Sequence, residues 1–518
     1  MKKASILVLA IPLLLVGCGK KGGGSGNGCK KDYSGFEIPV VDVEHMSINL
    51  PTMPTREGTP VKDGELDVID IYEMSDLHAM IDYDSSKPYF GLSGLANYMN
   101  EKRTQNGGTI LVSAGDMWQG GAESNLTRGK VVHEAMRYIG FDCMSLGNHE
   151  FDWGEEIIKR NGGYFADMPI LCGNLVRKST GQLPSELVSP SKVVTRGDYK
   201  IGIVGTIGLV QDSIIKTALE DFEFSNPSAF ATSEAARLRS EEGCDIVIWT
   251  THEDARSISS IPAGVDAVFG GHTHTSYSDG SESASVNHYV PVMETLNYGG
   301  SLAHVQLKID PSTKAVTFGT KEIVSPAATY LHDETNIANL VGQYRVETDK
   351  VKQVEIGELK GKFTKEDELG NLCAEAMYEY AKNDGASFAF QNGRGGVRQD
   401  INEGVITYGD IYTALPFDNE LVTFEIDGSD LENEFDTEFR GLNVYSAITK
   451  YSEIKAGTKY KIVTTDFNAL IMSNIGTITY YSGSVIRDVV AKYISTHCGL
   501  KAADYVTVKN ARFNAPTH

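Results

Sequence analysis

The sequence predicts an α/β protein with more than one domain. Its 518 residues exceed what a single hydrophobic core usually contains, so two or three domains are expected. Between about residues 66 and 326, short apolar runs alternate with longer segments in which apolar residues recur every three or four positions. That alternation is typical of strands and helices stacked in α/β layers, where ligands bind at the carboxyl ends of the strands.

The individual segments support this class. Two amphipathic runs, each closed by a glycine, predict helices over 129–139 and 228–242. A polar helical pattern predicts a helix that connects two domains around 333–352. The rest of the chain has its own helical and strand-like runs, at 371–382, 485–495, 421–426 and 459–463.

The charge balance narrows the possible partners. Lysines and arginines number 47 against 69 acidic residues, which gives a formal net charge of −22. A nucleic-acid polymer would be repelled by such a surface, so no polymer of this kind is expected as a partner. A small phosphorylated substrate is compatible with the charge, because bound cations reverse the local field.

The first residues have the pattern of an export signal. Lys2 and Lys3 precede an apolar run at 6–16, which is too short to span a membrane. The following Leu-Val-Gly-Cys resembles a bacterial lipobox, in which Cys18 would be lipidated and become the first mature residue. We therefore expect an exported protein, anchored by lipid to the bacterial cell envelope and held on a Gly- and Lys-rich tether. A plain secretory signal with a chance cysteine is the alternative.

Five short segments place Asp, His or Asn directly after a strand-like run. Because side chains alternate along a strand, two residues spaced two apart can face the same ion. Neutral imidazoles, carboxylates and amide oxygens are all metal ligands. The seven candidate metal ligands are Asp76, His78, Asp116, Asn148, His252, His272 and His274.

Such donors suit two divalent cations about 3.5–4 Å apart, an arrangement that hydrolyses phosphate esters by attack of a bridging water. We assign Asp116 as the bridge, and seven ligands for two ions leave positions open for water and substrate. The mixed donors favour Zn, Mn, Co or Fe over Mg or Ca. Taken singly, each residue has an ordinary alternative, such as a structural His or a turn Asp. Asp76 and His78 are expected to reach one ion and Asn148 the second, while His252, His272 and His274 supply imidazoles.

His149 and Asp152 are assigned a catalytic role instead. His149 is adjacent to a ligand in sequence, so its side chain should project elsewhere, and Asp152 could orient the ring and favour its protonated form. An imidazolium there would stabilise phosphoryl charge or protonate the departing alkoxide. The alternative is a helix N-cap pattern over 148–152.

These segments together resemble the calcineurin-like metallophosphoesterases, and more specifically the 5'-nucleotidase family, which includes UDP-sugar hydrolases and 2',3'-cyclic nucleotide phosphodiesterases. The resemblance runs through most of the chain after the lead-in. It is most specific at Gly147-Asn148-His149-Glu150-Phe151-Asp152-Trp153-Gly154, and it continues at 368–372, 392–398, 407–412 and 415–419.

The resemblance implies a four-layer α/β/β/α sandwich that holds the metals and an α+β C-terminal domain that selects the substrate. Phe417 and Phe467 would stack on a nucleobase, while Asn392 and Arg398 would contact phosphate or ribose. For each Phe, core packing is the alternative. Three positions depart from the family pattern, all in the C-terminal domain. They are the longer loop at 392–398, Ile471-Met472-Ser473-Asn474 in place of Gly-Gly-Asp-Gly, and Phe363 where the family has Arg.

We therefore predict a two-metal phosphohydrolase, with nucleoside 5'-monophosphates as the substrate. A nucleotide-sugar pyrophosphatase or a 2',3'-cyclic nucleotide phosphodiesterase is the alternative within enzymes, and a ligand-binding surface lipoprotein is the alternative outside them. The predicted segments are a signal peptide at 1–18, a tether and lead-in at 19–63, a metallophosphoesterase domain at 64–328, a connecting helix at 329–355 and a substrate-binding domain at 356–518.

Overall fold

The computed structural model describes residue 29 and residues 31–84, 86–163, 167–214, 216–391, 395–437, 443–446, 453–470, 472, 474–497 and 499–506. The predicted signal peptide, Cys18 and Asn392 lie outside these residues. Across the described part of the chain, no helix is both long enough and apolar enough to cross a membrane.

The first part of the chain alternates strands and helices over residues 66–171, as predicted, whereas in the described residues the strands from 246 to 324 follow one another without an α-helix between them. Its strands are β1 (Lys62–Asp63), β2 (Leu66–Glu73), β3 (Thr109–Ser113), β4 (Cys143–Ser145), β5 (Ile170–Leu171), β6 (Leu175–Arg177), β7 (Ser191–Arg196), β8 (Tyr199–Ile207), β9 (Phe222–Phe224), β10 (Ile246–His252), β11 (Ala267–Phe269), β12 (Tyr277–Ser283), β13 (His288–Glu294), β14 (Leu302–Ile309) and β15 (Val316–Val324). Its helices are α1 (Gly91–Gln105), α2 (Ala122–Thr127), α3 (Lys130–Ile139), α4 (Glu155–Gly163), α5 (Pro227–Ser240) and α6 (Thr335–Lys352).

Two sheets form the centre of this part. One has the strand order β15-β14-β2-β3-β4-β5, and the other has the order β12-β13-β11-β10-β8-β7. Strands β2 to β5 are mutually parallel, and β8, β10, β11 and β13 are parallel in the second sheet. Parallel strands end at one edge of their sheet, so side chains that follow them can converge there.

The sheets pack face to face between two helical layers. Ile69 and Ile71 of β2 lie in the apolar core between the sheets, whereas Tyr72 faces the core shared with α1, α3 and α6. On the second sheet, Val247 faces Leu238 of α5. Alternating side chains thus bury both faces of each sheet, and the order of layers is α/β/β/α. The predicted sandwich is confirmed.

The second part of the chain is an α+β unit. Its strands are β16 (Glu355–Lys360), β17 (Phe388–Gln391), β18 (Gly404–Thr407), β19 (Glu420–Asp427), β20 (Asn443–Ser446), β21 (Lys459–Thr465), β22 (Thr479–Val485) and β23 (Leu500–Lys501). Its helices are α7 (Glu368–Ala381), α8 (Tyr408–Ala414), α9 (Gly428–Thr437), α10 (Asp466–Leu470) and α11 (Ile486–Thr496). The larger sheet has the order β20-β17-β21-β19-β22 and is mostly antiparallel, and α7 and α11 pack on one side of it.

The predicted lead-in packs along both parts of the chain. Phe36 belongs to the core of the second part, and its carbonyl accepts a hydrogen bond of 2.6 Å from Lys492 Nζ. Further along, Met53 packs against the core of the first part, and the Asn49 N–H donates to Gln343 of α6 over 2.7 Å. The segment therefore contacts helix α6 and both cores.

Candidate active site

The seven predicted ligands lie together where the parallel strands of both sheets end. Two follow β2, one follows β3, one follows β4 and two follow β11. His252 differs slightly from the prediction, because it is the last residue of β10 itself. Asp76, Asp116, Asn148 and His252 are at most 2% exposed.

The backbone is strained at most of these positions. The φ angles lie between 45° and 80°, in the left-handed region that non-glycine residues rarely adopt. Strain of this kind costs about 1–3 kcal/mol per residue and collects where function needs a fixed geometry. The predicted ligands with positive φ are Asp76, His78, Asp116, His272 and His274.

One group of donors comprises Asp76, His78 and His274, whose ligand atoms lie within 4.8 Å of one another. The Nε2 atoms of the two histidines are 3.0 Å apart, and His274 Nε2 is 3.5 Å from Asp76 Oδ1. Asp76 and His78 are the two residues that are expected from the sequence to reach one ion.

A second group joins the two sheets. Asp116, His252 and His272 also have their ligand atoms within 4.8 Å, and Asn148 lies among them. Asn148 Oδ1 is 3.0 Å from His252 Nε2 and 2.9 Å from His272 Nδ1. Asp116 Oδ2 is 3.3 Å from His252 Nε2 and 3.9 Å from His78 Nε2, so this carboxylate lies between the two groups.

The donor chemistry fits bound cations. His78 Nδ1 and His252 Nδ1 donate to the carbonyl oxygens of Gln119 and Ala114, over 3.1 and 2.8 Å. In the neutral rings, each Nε2 therefore presents a lone pair. For His252 this lone pair faces the Asp116 and Asn148 oxygens, which are themselves acceptors. For His78 it faces Nε2 of His274, a ring whose Nδ1 accepts a hydrogen bond from the Asn297 side chain over 3.0 Å. Converging lone pairs need a positive charge between them, and backbone carbonyls that fix the ring tautomer are typical of metal-binding histidines.

The pKa values of His78, His252 and Asp116 show where the cluster favours positive charge. Burial lowers the pKa of His78 to about 3 and so keeps that ring neutral. Burial also opposes a charge on His252, but the Asp116 carboxylate outweighs it and raises the pKa to about 10. For Asp116, burial opposes ionisation, yet the charge of His252 holds the pKa well below its usual range. Asp116 is therefore a carboxylate in this cluster.

His149 and Asp152 form the predicted pair. His149 Nδ1 is 2.9 Å from Asp152 Oδ2, and the backbone N–H of His149 donates to Asp116 Oδ1 over 2.9 Å. Burial lowers the pKa of His149, but the Asp152 and Asp116 carboxylates raise it to about 9. Asn148 precedes a short 3₁₀ helix at His149–Phe151, and its side chain makes no capping hydrogen bond to that helix. His149 also lies close enough to His78 and Asp116 to be a further metal ligand.

Sequence reasoning missed Glu150. Its fully buried carboxyl group accepts hydrogen bonds from the backbone N–H groups of Asp116 and Gly147, both over 2.8 Å, and from Met117 over 3.0 Å. It therefore ties the loop after β3 to the loop after β4, and each loop carries a metal-ligand candidate. The available signal was an ionisable residue directly beside the predicted site residues Asn148 and His149.

A second missed carboxylate supports the loop after β11. Glu294 is fully buried, and its Oε1 accepts the Thr273 N–H over 3.1 Å and the Thr273 hydroxyl over 2.5 Å. Its Oε2 accepts the Ala255 N–H over 2.9 Å. Thr273 lies between two ligand candidates, so Glu294 fixes the direction of that loop.

A substitution at Gly147 tests how closely the loop after β4 approaches the loop after β3. A Cβ atom at this position would lie 2.1 Å from Asp116 Oδ1, a separation that real atoms do not tolerate. We expect Gly147→Ala to displace that carboxylate, to lower phosphoesterase activity at least about 100-fold and to reduce bound metal. Metal analysis and phosphate release measure the two effects.

The control for Gly147→Ala is Gly342→Ala. A Cβ atom at Gly342, within α6, meets nothing within 4 Å. The control should retain activity and metal. Full metal content in active Gly147→Ala protein would show that the Asp116 carboxylate has room to move.

The second part of the chain contributes side chains to the same site. The Phe417 ring lies 6.2 Å from the His149 ring, with an angle of 24° between their planes. The Arg398 guanidinium lies 5.5 Å from the Phe417 ring centre, and Arg398 Nη2 donates to the Tyr298 hydroxyl over 2.8 Å. The Tyr298 ring is 5.9 Å from the ring of His78. The two parts of the chain therefore form one cleft above the metal-ligand candidates.

Loop 415–418 is held against the first part of the chain. The Pro416 carbonyl accepts hydrogen bonds from the side chains of Asn125 and, over 3.4 Å, Gln119. Asp418 accepts from Trp153 Nε1 over 2.7 Å and pairs with the buried guanidinium of Arg487. Phe417 is thus positioned by contacts on both of its sides.

The other predicted contacts are less fully defined. Phe467 is the second residue of α10 and has 45% of its surface exposed, whereas core packing would have buried it. Asn392 lies outside the described residues. Phe363, which was predicted to depart from the family pattern, is fully buried, and the neighbouring Lys362 pairs with Asp400 over 2.6 Å.

A sandwich with clustered carboxylate, amide and imidazole donors at its strand ends defines a metal-dependent phosphoesterase. The family profile for calcineurin-like phosphoesterases matches residues 69–276, and the profile for the 5'-nucleotidase C-terminal domain matches residues 340–447. The chain belongs to the metallophosphoesterases that carry this C-terminal domain, and it is a phosphoric ester hydrolase of that family.

The matches to similar proteins cover different shares of this chain and of those proteins. The chain is 28% identical to Endonuclease YhcR of Bacillus subtilis, over 70% of its own length and 32% of that protein. It is 26% identical to Protein UshA of Yersinia enterocolitica, over 89% of the chain and 96% of that protein. The structure of a 5'-nucleotidase precursor from Thermus thermophilus superimposes with a TM-score of 0.65 at 20% identity, covering 87% of this chain and 100% of that one. The chain therefore spans about a third of YhcR and nearly all of UshA.

Proposed function

We propose that the protein hydrolyses nucleoside 5'-monophosphates and releases inorganic phosphate. The observation that carries this proposal is the cleft in which Phe417 and Arg398 of the C-terminal part meet His149 beside the metal-ligand candidates. A planar aromatic ring at this place suits any nucleobase, because every base has a stacking face. The match of the C-terminal part to the 5'-nucleotidase profile supports the same substrate class.

The proposed centre holds two divalent ions, of Zn, Mn, Co or Fe. Asp76, His78, Asp116 and His274 hold one ion, and Asp116, Asn148, His252 and His272 hold the other. Bound there, the ions supply charge neutralisation for the phosphate and a water molecule of lowered pKa. The position of Asp116 between the two donor groups supports its role as the shared ligand.

The side chains of the cleft orient and stabilise the substrate. Asp152 holds the His149 ring through Nδ1, which leaves Nε2 free to donate to a phosphoryl oxygen or to the departing 5'-oxygen. Arg398, with Asn392, contacts the phosphate or the ribose, and Phe417 and Phe467 enclose the base. The exposed ring of Phe467 supports this last role, because it remains available to a ligand.

We also propose that the protein is exported and anchored to the membrane through a lipid on Cys18. The support is the sequence alone: two lysines, a short apolar run and a lipobox-like Leu-Val-Gly-Cys. Labelling with a radioactive or alkyne-tagged fatty acid would test this, with Cys18→Ser as the unlabelled control.

The substrate panel that tests the function contains AMP, ribose 5-phosphate, UDP-glucose, 2',3'-cyclic AMP and single-stranded DNA, each with added Mn²⁺, Co²⁺ or Zn²⁺. AMP should give the highest kcat/KM. A higher value for UDP-glucose or the cyclic nucleotide would favour the pyrophosphatase or phosphodiesterase alternative. Cleavage of DNA would favour an activity like that named for YhcR, and no turnover of any substrate would leave the ligand-binding alternative.

Phe417→Ala tests the base contact separately from the chemistry. Base stacking contributes about 1–3 kcal/mol, so KM for AMP should rise about tenfold. Ribose 5-phosphate has the same phosphoester but no base, and its KM should not change. Equal losses for the two substrates would show that Phe417 supports the cleft and does not bind the base.

A further inference from the structure

Five side chains form a closed circuit of contacts beside the metal-ligand candidates. The His78 ring lies 5.3 Å from the His149 ring, which lies 6.2 Å from the Phe417 ring. The Arg398 guanidinium lies 5.5 Å from the Phe417 ring centre and bonds to the Tyr298 hydroxyl over 2.8 Å. The Tyr298 ring returns to the His78 ring at 5.9 Å. Four of these residues have a role at the metal or the substrate, whereas Tyr298 has none so far.

The backbone holds Tyr298 against the donor group of Asp76, His78 and His274. The φ angle of Tyr298 is 59°, in the left-handed region that a tyrosine rarely adopts. Its N–H donates to the Asp76 carbonyl over 2.8 Å, and the side chain of the preceding Asn297 donates to His274 Nδ1 over 3.0 Å. Strain of this kind persists where the surroundings fix a functional geometry. The position of the tyrosine is therefore set by the metal-ligand candidates themselves.

The Tyr298 hydroxyl has a proton to donate. A phenol both accepts and donates hydrogen bonds, and in its contact with Arg398 Nη2 the oxygen is the acceptor. Among the described residues, none accepts a hydrogen bond from this hydroxyl in return. The side chain is half-buried at the cleft. Its O–H is therefore available to a ligand.

The position of the ring favours the phosphoryl group over the nucleoside. The Tyr298 ring lies 5.9 Å from the ring of His78 and 6.3 Å from that of His274. Its connection to Phe417, the proposed base contact, runs through Arg398 instead. A phosphate at the donor cluster would present charged oxygens on this side, and a charged acceptor forms stronger hydrogen bonds than a ribose hydroxyl does.

We propose that the Tyr298 hydroxyl is a catalytic group, which donates a hydrogen bond to a phosphoryl oxygen of the bound ester. This inference rests on the proposed function and adds a donor to its site. The contact transfers no proton and breaks no bond, and it stabilises the negative charge of the phosphoryl group. Arg398 occupies a lone pair of the phenol oxygen and so limits the directions in which the O–H can point.

Tyr298→Phe removes the hydroxyl and keeps the ring. Loss of a hydrogen bond to a charged group should lower kcat/KM about 10- to 100-fold. The fall should be equal for AMP, ribose 5-phosphate and p-nitrophenyl phosphate, because these esters share only the phosphoryl group. A loss confined to AMP and ribose 5-phosphate would place the contact at the ribose and overturn the proposal, as would the absence of any loss.

The matched control is Tyr330→Phe. It removes a hydroxyl that donates to Glu101 of α1 over 3.0 Å, in a contact outside the circuit. For all three esters, kcat/KM of the control should stay within about twofold of the wild type.

Two further measurements separate a direct contact from an indirect one. Bound metal in Tyr298→Phe should equal that of the wild type, since the backbone bond to Asp76 remains. In an Arg398→Met background, Tyr298→Phe should still lower kcat/KM at least about fivefold. No further loss in that background would mean that Tyr298 acts only by holding Arg398. Loss of metal would mean that it acts through the donor group, and either result overturns the direct contact.

Phosphate binding separates this proposal from the proposed function. The probe is inorganic phosphate, titrated calorimetrically into Mn²⁺-loaded protein. Its Kd should rise at least about tenfold in Tyr298→Phe and change less than about twofold in Tyr330→Phe. That rise without turnover of any ester would refute the function and leave the contact standing. Hydrolysis of AMP with a Kd that Tyr298→Phe does not change would refute the contact and leave the function standing.

Discussion

Asp116→Ala should abolish measurable phosphate release and lower the content of bound metal at the same time. Its carboxylate lies 3.3 Å from His252 and 3.9 Å from His78, between the two groups of donors. Removing the Asp116 carboxylate takes one ligand from each proposed ion. The remaining buried donors also lose its negative charge. We expect kcat/KM to fall at least about 1,000-fold, which corresponds to about 4 kcal/mol of transition-state stabilisation.

The measurements for Asp116→Ala are phosphate release from AMP and metal analysis by inductively coupled plasma spectrometry. Asp116→Asn keeps the shape of the side chain and removes its charge, so it separates a steric effect from an electrostatic one. Asp279→Ala, in the surface-exposed strand β12, is the control for a general effect of losing a carboxylate. Full occupancy of both ions in Asp116→Ala would contradict the bridging assignment.

His149→Ala should reduce turnover while the metals remain bound. The ring lies beside the cluster with Nδ1 held by Asp152, so Nε2 is the atom available to the substrate. Removing one such donor from a preorganised site typically costs about 100- to 1,000-fold in kcat. The decrease should appear in kcat more than in KM, because the contact strengthens as charge develops in the transition state.

Asp152→Asn provides the comparison for His149→Ala. This substitution leaves the His149 imidazole in place and weakens only the interaction that orients the ring. The decrease in kcat should therefore be smaller than in His149→Ala. Metal analysis of both variants decides between two roles for His149, since this residue also lies within ligand distance of His78 and Asp116. Loss of an ion from His149→Ala alone would make it a metal ligand instead of a catalytic residue.

The sequence was most informative where local pattern and chemistry coincide. The strand-like runs before Asp76, Asp116 and His272 are strands that end at one edge. The two histidines after β11 belong to different donor groups, His272 to that of Asp116 and His274 to that of Asp76. The helices predicted before Gly140 and Gly243 occur as α3 and α5. Gly140 is the C-cap of α3, whereas α5 ends at Ser240 with Glu241 as its C-cap. Apolar periodicity and glycine C-caps act over a few residues, so one sequence suffices to find them.

Other features depend on residues that are distant in the chain. Glu150 was missed because its role consists of hydrogen bonds to backbone groups more than thirty residues away, at Asp116 and Met117. The sequence pattern around Asp76 and His272 does not predict their positive φ angles, because the packing of the surrounding loops holds both residues in that conformation. The lead-in likewise has no periodicity of its own, and its contacts to both cores emerge only in three dimensions.

The sequence by itself determined the α/β class and the identity of the residues that converge at the strand ends, because alternation along strands and donor chemistry are local properties. Only the tertiary structure decided which donors face one another, how buried carboxyl groups fix the loops and where Tyr298 meets Arg398 across the cleft. The reason is physical: lone-pair directions, desolvation and contacts between side chains arise from the packing of segments that are far apart in the chain.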